Sequence, residues 1–595
     1  MPKRLRAAER TSFPDLYSEI TLYEEGNDMA AFKRFAYIIL IIAGIGGIFL
    51  VYNIHESRPA NVHSPAGPAL EREFMTARQV DEGDTPRVWI LGDPEDEHYG
   101  EIYSNVRQLC QDLQLTVAGE GRLDMKKAET HDMAIFCDAT VSHWADQKEL
   151  ESFIAGGGRA ILAAGFAEGD EDSDLWSIFG IQEISPGDDF HYLAFEKPLL
   201  PLQPEAACYD GNSSSARMKV SEGAEIYIRA LGEEDIPILY TYDWLKGRVC
   251  VINGSFLADV RCAGLLTGAM TALLPDFIYP VLGVKAVFLD NLPMITPEDE
   301  ELCRKVYGYS AEGFVRDVMW PAFQGTSLRT NTPYTSSILA AASSEEYFET
   351  WNDAVLTVIC KSALKFGGEL TYAVNCREDE KIVFNRDFIQ RFSEIFTGYT
   401  VRGLTLETDN FSPEMLDIPG AEIRSVRGML DSRDTRLSWE DGCVVFPVVT
   451  EGNTMDDGNL FAIYSILGAY GMVSHVFDVH ALITKEEEPA AWDKDKLQVG
   501  YFESEILSRA PWLEGRTLSQ TEDDVRSYQE MDYGWTRDGS RVELDCGGAV
   551  KGQAFFYHTS SRIAAAKGLT YLDLGEGYYL LRMQENHGTL TLEEG

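Results

Sequence analysis

The sequence predicts a multidomain α/β protein: a transmembrane helix, an open α/β domain, a (β/α) barrel and a small antiparallel β domain. Three observations predict it. The chain has 595 residues, too many for one hydrophobic core. Residues 35–54 form an uncharged apolar run. Beyond them, short apolar runs alternate with helical spacing in two stretches of different character, and then give way to short runs broken by Gly and Asp.

The apolar run, "FAYIILIIAGIGGIFLVYNI", reaches about 30 Å at the rise of an α-helix, which matches the hydrocarbon thickness of a bilayer. Lys3, Arg4, Arg6, Arg10, Lys33 and Arg34 precede it, and the sequence just after it is poorer in basic residues. The bias puts residues 1–34 in the cytoplasm and the bulk of the chain outside, as a single-pass cell-membrane protein. The long preceding tail and the lack of an A-x-A site argue against a cleaved signal peptide. Residues 55–84 lack periodicity and read as a linker.

The composition excludes one class of partner. Lys and Arg number 51 against 96 Asp and Glu, a formal charge of −45. Nucleic-acid binding needs a basic face, so no nucleic-acid partner is expected. The acidity serves solubility, or attraction to something cationic. The 10 cysteines include no C-x-x-C pair. They sit in apolar runs and read as small buried hydrophobes.

Residues 85–278 alternate strand and helix: "PRVWILGD" ends a strand in Gly92-Asp93, a helical pattern runs through Ile102, Val106, Leu109 and Leu113, and "DMAIFCD" is the next strand. "QKELESFIAGGGRAILAAG" reads as helix, glycine turn and strand. This pattern resembles flavodoxin-like and class I glutamine-amidotransferase-like domains. The amidotransferase resemblance implies a nucleophilic cysteine in a G-x-C-x-G elbow, but the matching strand end reads "AAGFAEG", so that activity is not expected.

Residues 279–510 hold seven strand candidates: "KAVFLDN", "TSSILAAASS", "ELTYAVN", "VRGLTLETDNF", "EIRSVRGM", "CVVFPVV" and "MVSHVFDVHAL". Helical patterns such as "AEGFVRDVMWPAF" and "GNLFAIYSILGAYG" lie between them. That suits a (β/α) barrel, complete or not, whose functional groups sit at C-terminal strand ends. Asp290, Asn291, Asp409 and His475 fall at or near such ends. Residues 511–595, with "SRVELDCGG" and "GQAFFYHT", read as a β-sandwich-like domain.

From about residue 280 onward the chain resembles the polysaccharide-deacetylase (NodB-like) superfamily. Within it, the chain resembles domain-of-unknown-function family 2194, which is associated with Pel-type exopolysaccharide clusters. The resemblance rests on the order of "VFLDNLP", "FVRDVMWPAF", "GGELTYAVN", "MDDGNLFAIYSILGAYGMVSHVF" and "APWLEGRTLSQTEDDVRSY". It implies two acids closing the first strand, one a general base and one a metal ligand, and two imidazole ligands downstream. The metal would polarise the amide carbonyl and activate water. Asp290 takes the base position, but Asn291 stands where a ligand carboxylate is expected. Ala373 and Arg377 take the usual histidine places, and no histidine occurs between His191 and His475. An open site with one or two donors holds metal poorly. No metal and no cofactor are therefore expected.

Two functions follow as expectations. In the first, a membrane-anchored, degenerate deacetylase-like barrel binds or guides an exopolysaccharide alongside synthase or export proteins. Trp320, Tyr334 and Tyr372 would be stacking platforms, with Asn291, Asp409 and His475 as further contacts. A cationic amino-sugar polymer is the form the acidity would attract. The alternative is an active carbohydrate hydrolase, a deacetylase or a glycosidase, with Asp290 as its acid/base. An Asp290–Asp409 pair would suit glycoside cleavage if the carboxyls converge at about 5 to 10 Å. Asp290-Asn291 also reads as a plain turn signal, and His475 as a packing residue.

Overall fold

The run Arg87–Leu91 is next to the edge of a parallel arrangement, with Thr116–Glu120 outside it and Met133–Phe136, Arg159–Leu162 and Gly247–Ile252 following on the other side. Counted along the chain this is the order 2-1-3-4-5, that of flavodoxin-like sheets. Ile236–Trp244, Glu225–Leu231, Tyr192–Phe195 and Ala206–Cys208 extend it antiparallel to nine strands. The structure is a computed structural model. It describes residues 44, 60–61, 73–76, 80, 83–166, 172–203, 206–208, 214–232, 236–292, 297–344, 353–376, 381–406, 413–429, 437–440, 442–483 and 491–593. Met1–Pro59 and Ala60–Gly595 are separate units, and the architecture below is that of the second. The expected membrane span at 35–54 lies outside the described residues except for Gly44. Among the described residues no helix is long and apolar enough to cross a membrane.

The second architectural unit is a nearly closed barrel of seven parallel strands: β1 (Val284–Asp290), β2 (Tyr334–Ala342), β3 (Glu369–Asn375), β4 (Gly403–Leu406), β5 (Ser425–Met429), β6 (Cys443–Val448) and β7 (Met472–Asp478). Each expected run supplies one strand, and spatial order follows chain order. β7 then returns to β1 in a register running from Val284↔Met472 to Asp290↔Asp478. The seam lies between β6 and β7. Pro447 has no N–H to donate. There the Ser474 hydroxyl donates to the Pro447 carbonyl at 2.8 Å and accepts from the Val449 amide at 3.0 Å. Beyond it, Thr450–Glu451 pairs directly with His475 and Val476.

Helices α1 (Trp320–Thr330), α2 (Asp353–Lys365), α3 (Arg386–Ile395), α4 (Asp457–Tyr470) and α5 (Ala491–Phe502) surround the strands. α4 is buried on every side from Leu460 to Tyr470, because it is sandwiched between the barrel and helix Ala263–Leu273, which follows the nine-stranded sheet. The two helices meet at small residues: Ser465 Oγ accepts from the Gly264 amide at 2.9 Å. At the C-terminus of α4, Gly471 adopts φ +62°, and a Cβ there would press on the Val281 side chain. Glycine is what lets the chain turn straight into β7.

Two four-stranded antiparallel sheets complete the fold. One draws its edge strand, Asp276–Val281, from ahead of the barrel, paired with Ala554–Thr559. A cut at 278/279 therefore falls inside a strand of the C-terminal sheets. Residues 514–520 belong with the barrel. The Glu514 and Arg516 amides donate to Gly283 O and Lys285 O, each at 2.9 Å. Leu518 N donates to Thr335 Oγ1 at 2.9 Å, and Ser519 N donates to Glu369 Oε2 at 2.8 Å. This segment closes the N-terminal mouth, and the fully buried Glu369 anchors it. Part of the expected linker is docked rather than free: Met75 N donates to Ala549 O at 2.7 Å.

Candidate functional site

In a strand, successive side chains point to opposite faces. On β1, Phe288 and Asp290 therefore share one face, while Val287 and Leu289 share the other. Asp290 points inward and is 7% exposed. Arg427 of β5 reaches it with two parallel hydrogen bonds, Nη1 to Oδ1 at 2.6 Å and Nη2 to Oδ2 at 2.7 Å. Ser337 of β2 donates a third to Oδ1 at 2.6 Å. The Arg427 guanidinium lies 5.2 Å from the Phe288 ring centroid and is itself buried. A bidentate Arg–carboxylate pair is the strongest form of this interaction. Both oxygens of the expected base are thus committed to neighbours that would have to leave before Asp290 could take a proton or bind an ion.

Asn291 is the next residue, at φ +56°, a left-handed conformation that Asn tolerates better than most residues. Its Nδ2 donates to Asp478 Oδ1 at 3.2 Å, and the same oxygen accepts from the Ala481 amide at 3.2 Å. The amide therefore has a physical reason to be there. A carboxylate at 291 would face the Asp478 carboxylate with no donor between them. Asn291 is a strand-end tie between β1 and β7, not a weakened metal ligand.

His475 pairs in register with Val287, so it shares that residue's face and points away from Asp290. It is fully buried. Its Nδ1 is 2.8 Å from Thr450 Oγ1, and its ring packs at 4.4 Å against Phe477 and 4.9 Å against Phe502 of α5. Burial pushes its pKa down to about 3, so the imidazole is neutral at physiological pH. The expected sugar-lining role does not fit a ring that has no exposed face and packs between strand and helix. The three aromatic platforms are corrected for the same reason. Tyr334 sits edge-on to Phe323 at 6.0 Å and Tyr372 edge-on to Phe392 at 5.7 Å, both between strand and helix. Trp320 is 5% exposed. None of the three offers a face to a ligand. Asp409, the expected partner of Asp290 in a glycosidase pair, lies outside the described residues.

A deacetylase-type metal needs a carboxylate and two imidazoles around an open position. Here the first-strand carboxylate is ion-paired, its neighbour is an amide that donates, and the nearest histidine faces the helices. Among the described residues no cluster of three or more His, Cys, Asp or Glu side chains could hold a metal ion. The residues do not fit the metal. The sequence reading missed Arg427. Its signal was a charged residue inside "SVRGM" on a strand with no solvent face, since a buried charge requires a partner.

Residues 114–362 match the family model described as "Uncharacterised protein conserved in bacteria (DUF2194)". The family expected from the sequence is matched over most of the α/β sheet and the first part of the barrel, and of the expected range from about residue 280 onward the match reaches only to residue 362. No curated protein matches. Among solved structures, the chain is similar to Agd3, a novel carbohydrate deacetylase, at 9% identity and a TM-score of 0.47, covering 86% of this chain and 99% of that one. It is also similar to a ThuA-like protein from Bacteroides uniformis, at 10% identity and a TM-score of 0.25 over 33% of this chain and 95% of that one. A β-galactosidase from Bacillus circulans gives 14% identity and a TM-score of 0.23, over 33% of this chain and 31% of that one.

Proposed function

We propose that this protein is a membrane-anchored, extracytoplasmic polysaccharide-binding factor with a deacetylase-like barrel that does not work as a deacetylase. It would hold or guide an exopolysaccharide during synthesis or export, in company with synthase proteins of the Pel type. One observation carries the reading: the first-strand aspartate, which a deacetylase keeps free as a base, is here clasped by Arg427 and Ser337. The resemblance of the chain to deacetylase-like proteins supports a carbohydrate ligand. The uncharged run at 35–54 with its basic flank supports the anchor. The formal charge of −45 supports a polymer carrying amino groups, drawn in by a field that salt screens.

The test uses the full chain in detergent. After dialysis against zinc, metal content and acetate release from N-acetylated amino-sugar oligomers are measured, and retention on a partly deacetylated amino-sugar column is compared at low and high salt. The expected result is no stoichiometric zinc, no acetate, and retention that salt abolishes. Bound zinc with acetate release would establish the hydrolase instead. Equal, negligible retention at both salts would end the polymer-binding reading.

A further inference from the structure

Among the described residues the expected platforms are buried, and a place for a ligand also exists outside the barrel. The N-terminal sheet and the C-terminal sheets meet along Leu274–Asp276, and a groove opens on each side. The two have volumes of about 680 and 360 Å³, and Leu274 and Pro275 line both. The larger falls within the range of about 300–1,000 Å³ usual for small-molecule sites.

One wall of the larger groove comes from the N-terminal sheet. Tyr227 sits at a β-bulge two residues after Glu225, and Lys197 reaches both side chains. Lys197 Nζ lies 2.5 Å from Glu225 Oε1 and 6.0 Å from the Tyr227 ring centroid. Arg248 also binds Glu225 and donates to Thr241 Oγ1 at 2.9 Å. The facing wall is the turn Gly575–Glu576–Gly577 with the hydroxyls of Thr559, Ser560 and Ser561. Glu576 and Gly577 both have positive φ, +53° and +82°. A Cβ on Gly577 would sit 2.9 Å from Thr559 O, and Thr559 N donates to Gly577 O at 3.0 Å. Both walls are held in place before any ligand arrives, which lowers the ordering cost of binding.

The charges in this groove cancel. Lys197, Arg248 and Arg562 stand against Glu225, Asp573 and Glu576, in a chain with a formal charge of −45. Such a site has no net preference for a polyanion or a polycation. It offers a phenol ring, at the half-buried Tyr227, hydroxyls, and charge-assisted donors and acceptors side by side. That is the chemistry that matches a neutral, hydroxyl- and amide-rich sugar chain, whose ring C–H faces pack on aromatics while its hydroxyls both donate and accept.

We propose that this groove seats a short run of neutral, N-acetylated amino-sugar residues. The proposal rests on the polysaccharide reading above and gives it a place outside the barrel. The test measures binding of the fully acetylated amino-sugar hexamer and of its deacetylated counterpart to the full chain, at low and high salt. The variants are Tyr227→Ala, which removes a ring, and Ser560→Trp, which fills the groove from its exposed rim. Binding of the acetylated hexamer should be insensitive to salt, fall about tenfold or more in Tyr227→Ala and vanish in Ser560→Trp, with melting temperatures unchanged. Unchanged binding in both variants would overturn the groove and leave the polysaccharide reading standing. So would salt-sensitive binding of the deacetylated hexamer alone. Binding of neither hexamer would overturn both.

Discussion

Replacing Arg427 by Met removes the partner of Asp290 and leaves its carboxylate inside the barrel with the Ser337 hydroxyl alone. Asp290 is 7% exposed and Arg427 3%, so water cannot substitute for the lost hydrogen bonds. Breaking a buried pair from one side costs about 3–5 kcal/mol, and a unit of this size loses roughly 2–4 °C in Tm per kcal/mol. The barrel transition of Arg427→Met should therefore fall by on the order of 10 °C. Asp290→Leu, which strands the guanidinium, should cost a similar amount. The double variant Asp290→Leu/Arg427→Met should recover most of the loss, because replacing both charges by apolar groups of similar volume is often close to neutral. Urea unfolding followed by tryptophan fluorescence reports on the barrel through Trp320 and Trp492, both buried in its helix layer, and hydrogen exchange at the β1 and β5 amides assigns the transition to the barrel. A coupling energy of about 3 kcal/mol or more between the two sites is expected. If Arg427→Met were as stable as the parent, or the single effects simply added, the carboxylate would not depend on Arg427 and the reasoning would fail.

Other outcomes follow from the same geometry. Asn291→Asp should lose about 1–2 kcal/mol, because it removes the donor to Asp478 and sets two carboxylates face to face, and it should not create zinc affinity; a denaturant titration and a zinc titration check both. His475 has a folded pKa of about 3 against an ordinary 6.5, so its contribution is complete above pH 6.5 and is lost as pH falls toward 3. At pH 5 the loss is about 2 kcal/mol, and the difference between the parent and His475→Asn across pH 7 to 5 isolates it. Lys285 is buried and donates to the Thr330 carbonyl at 2.8 Å, and burial lowers its pKa to about 8 from 10.5. The unfolded chain then holds more protons above pH 8, so stability should rise by about 2 kcal/mol by roughly pH 9.5 and not do so in Lys285→Met. Glu369→Ala should free the segment that closes the N-terminal mouth, seen as faster hydrogen exchange at the Leu518 and Ser519 amides with little change elsewhere.

The barrel was legible because each strand is a short apolar run ended by a polar residue or glycine, and such a run carries its own signal. What joins the strands was not legible. The seam depends on Pro447 lacking a donor and on Ser474 lying opposite it, a relation across 27 positions. Strand Asp276–Val281 reads as the end of one domain, and only its pairing with Ala554–Thr559 shows that it serves another. The candidate site failed in an instructive way. Asp290 and Asn291 were found because they end a strand, but the partners that decide their roles, Arg427 and Asp478, lie 137 and 187 positions away. Tyr334 and Tyr372 were read as platforms from residue type alone. Their alternation with the inward-facing Thr335 and Thr371 already placed them on the helix-facing side. The full absence of histidine between 191 and 475 was readable without any structure, and it pointed the same way as the ion pair.

The central claim is that the heart of this barrel is an ion pair and not a metal centre. Zinc titration into the metal-free full chain, followed by calorimetry in the parent and in Asp290→Asn, tests it most directly. The account predicts no one-to-one zinc binding in either protein. Tight one-to-one binding in the parent that Asp290→Asn abolishes would contradict it.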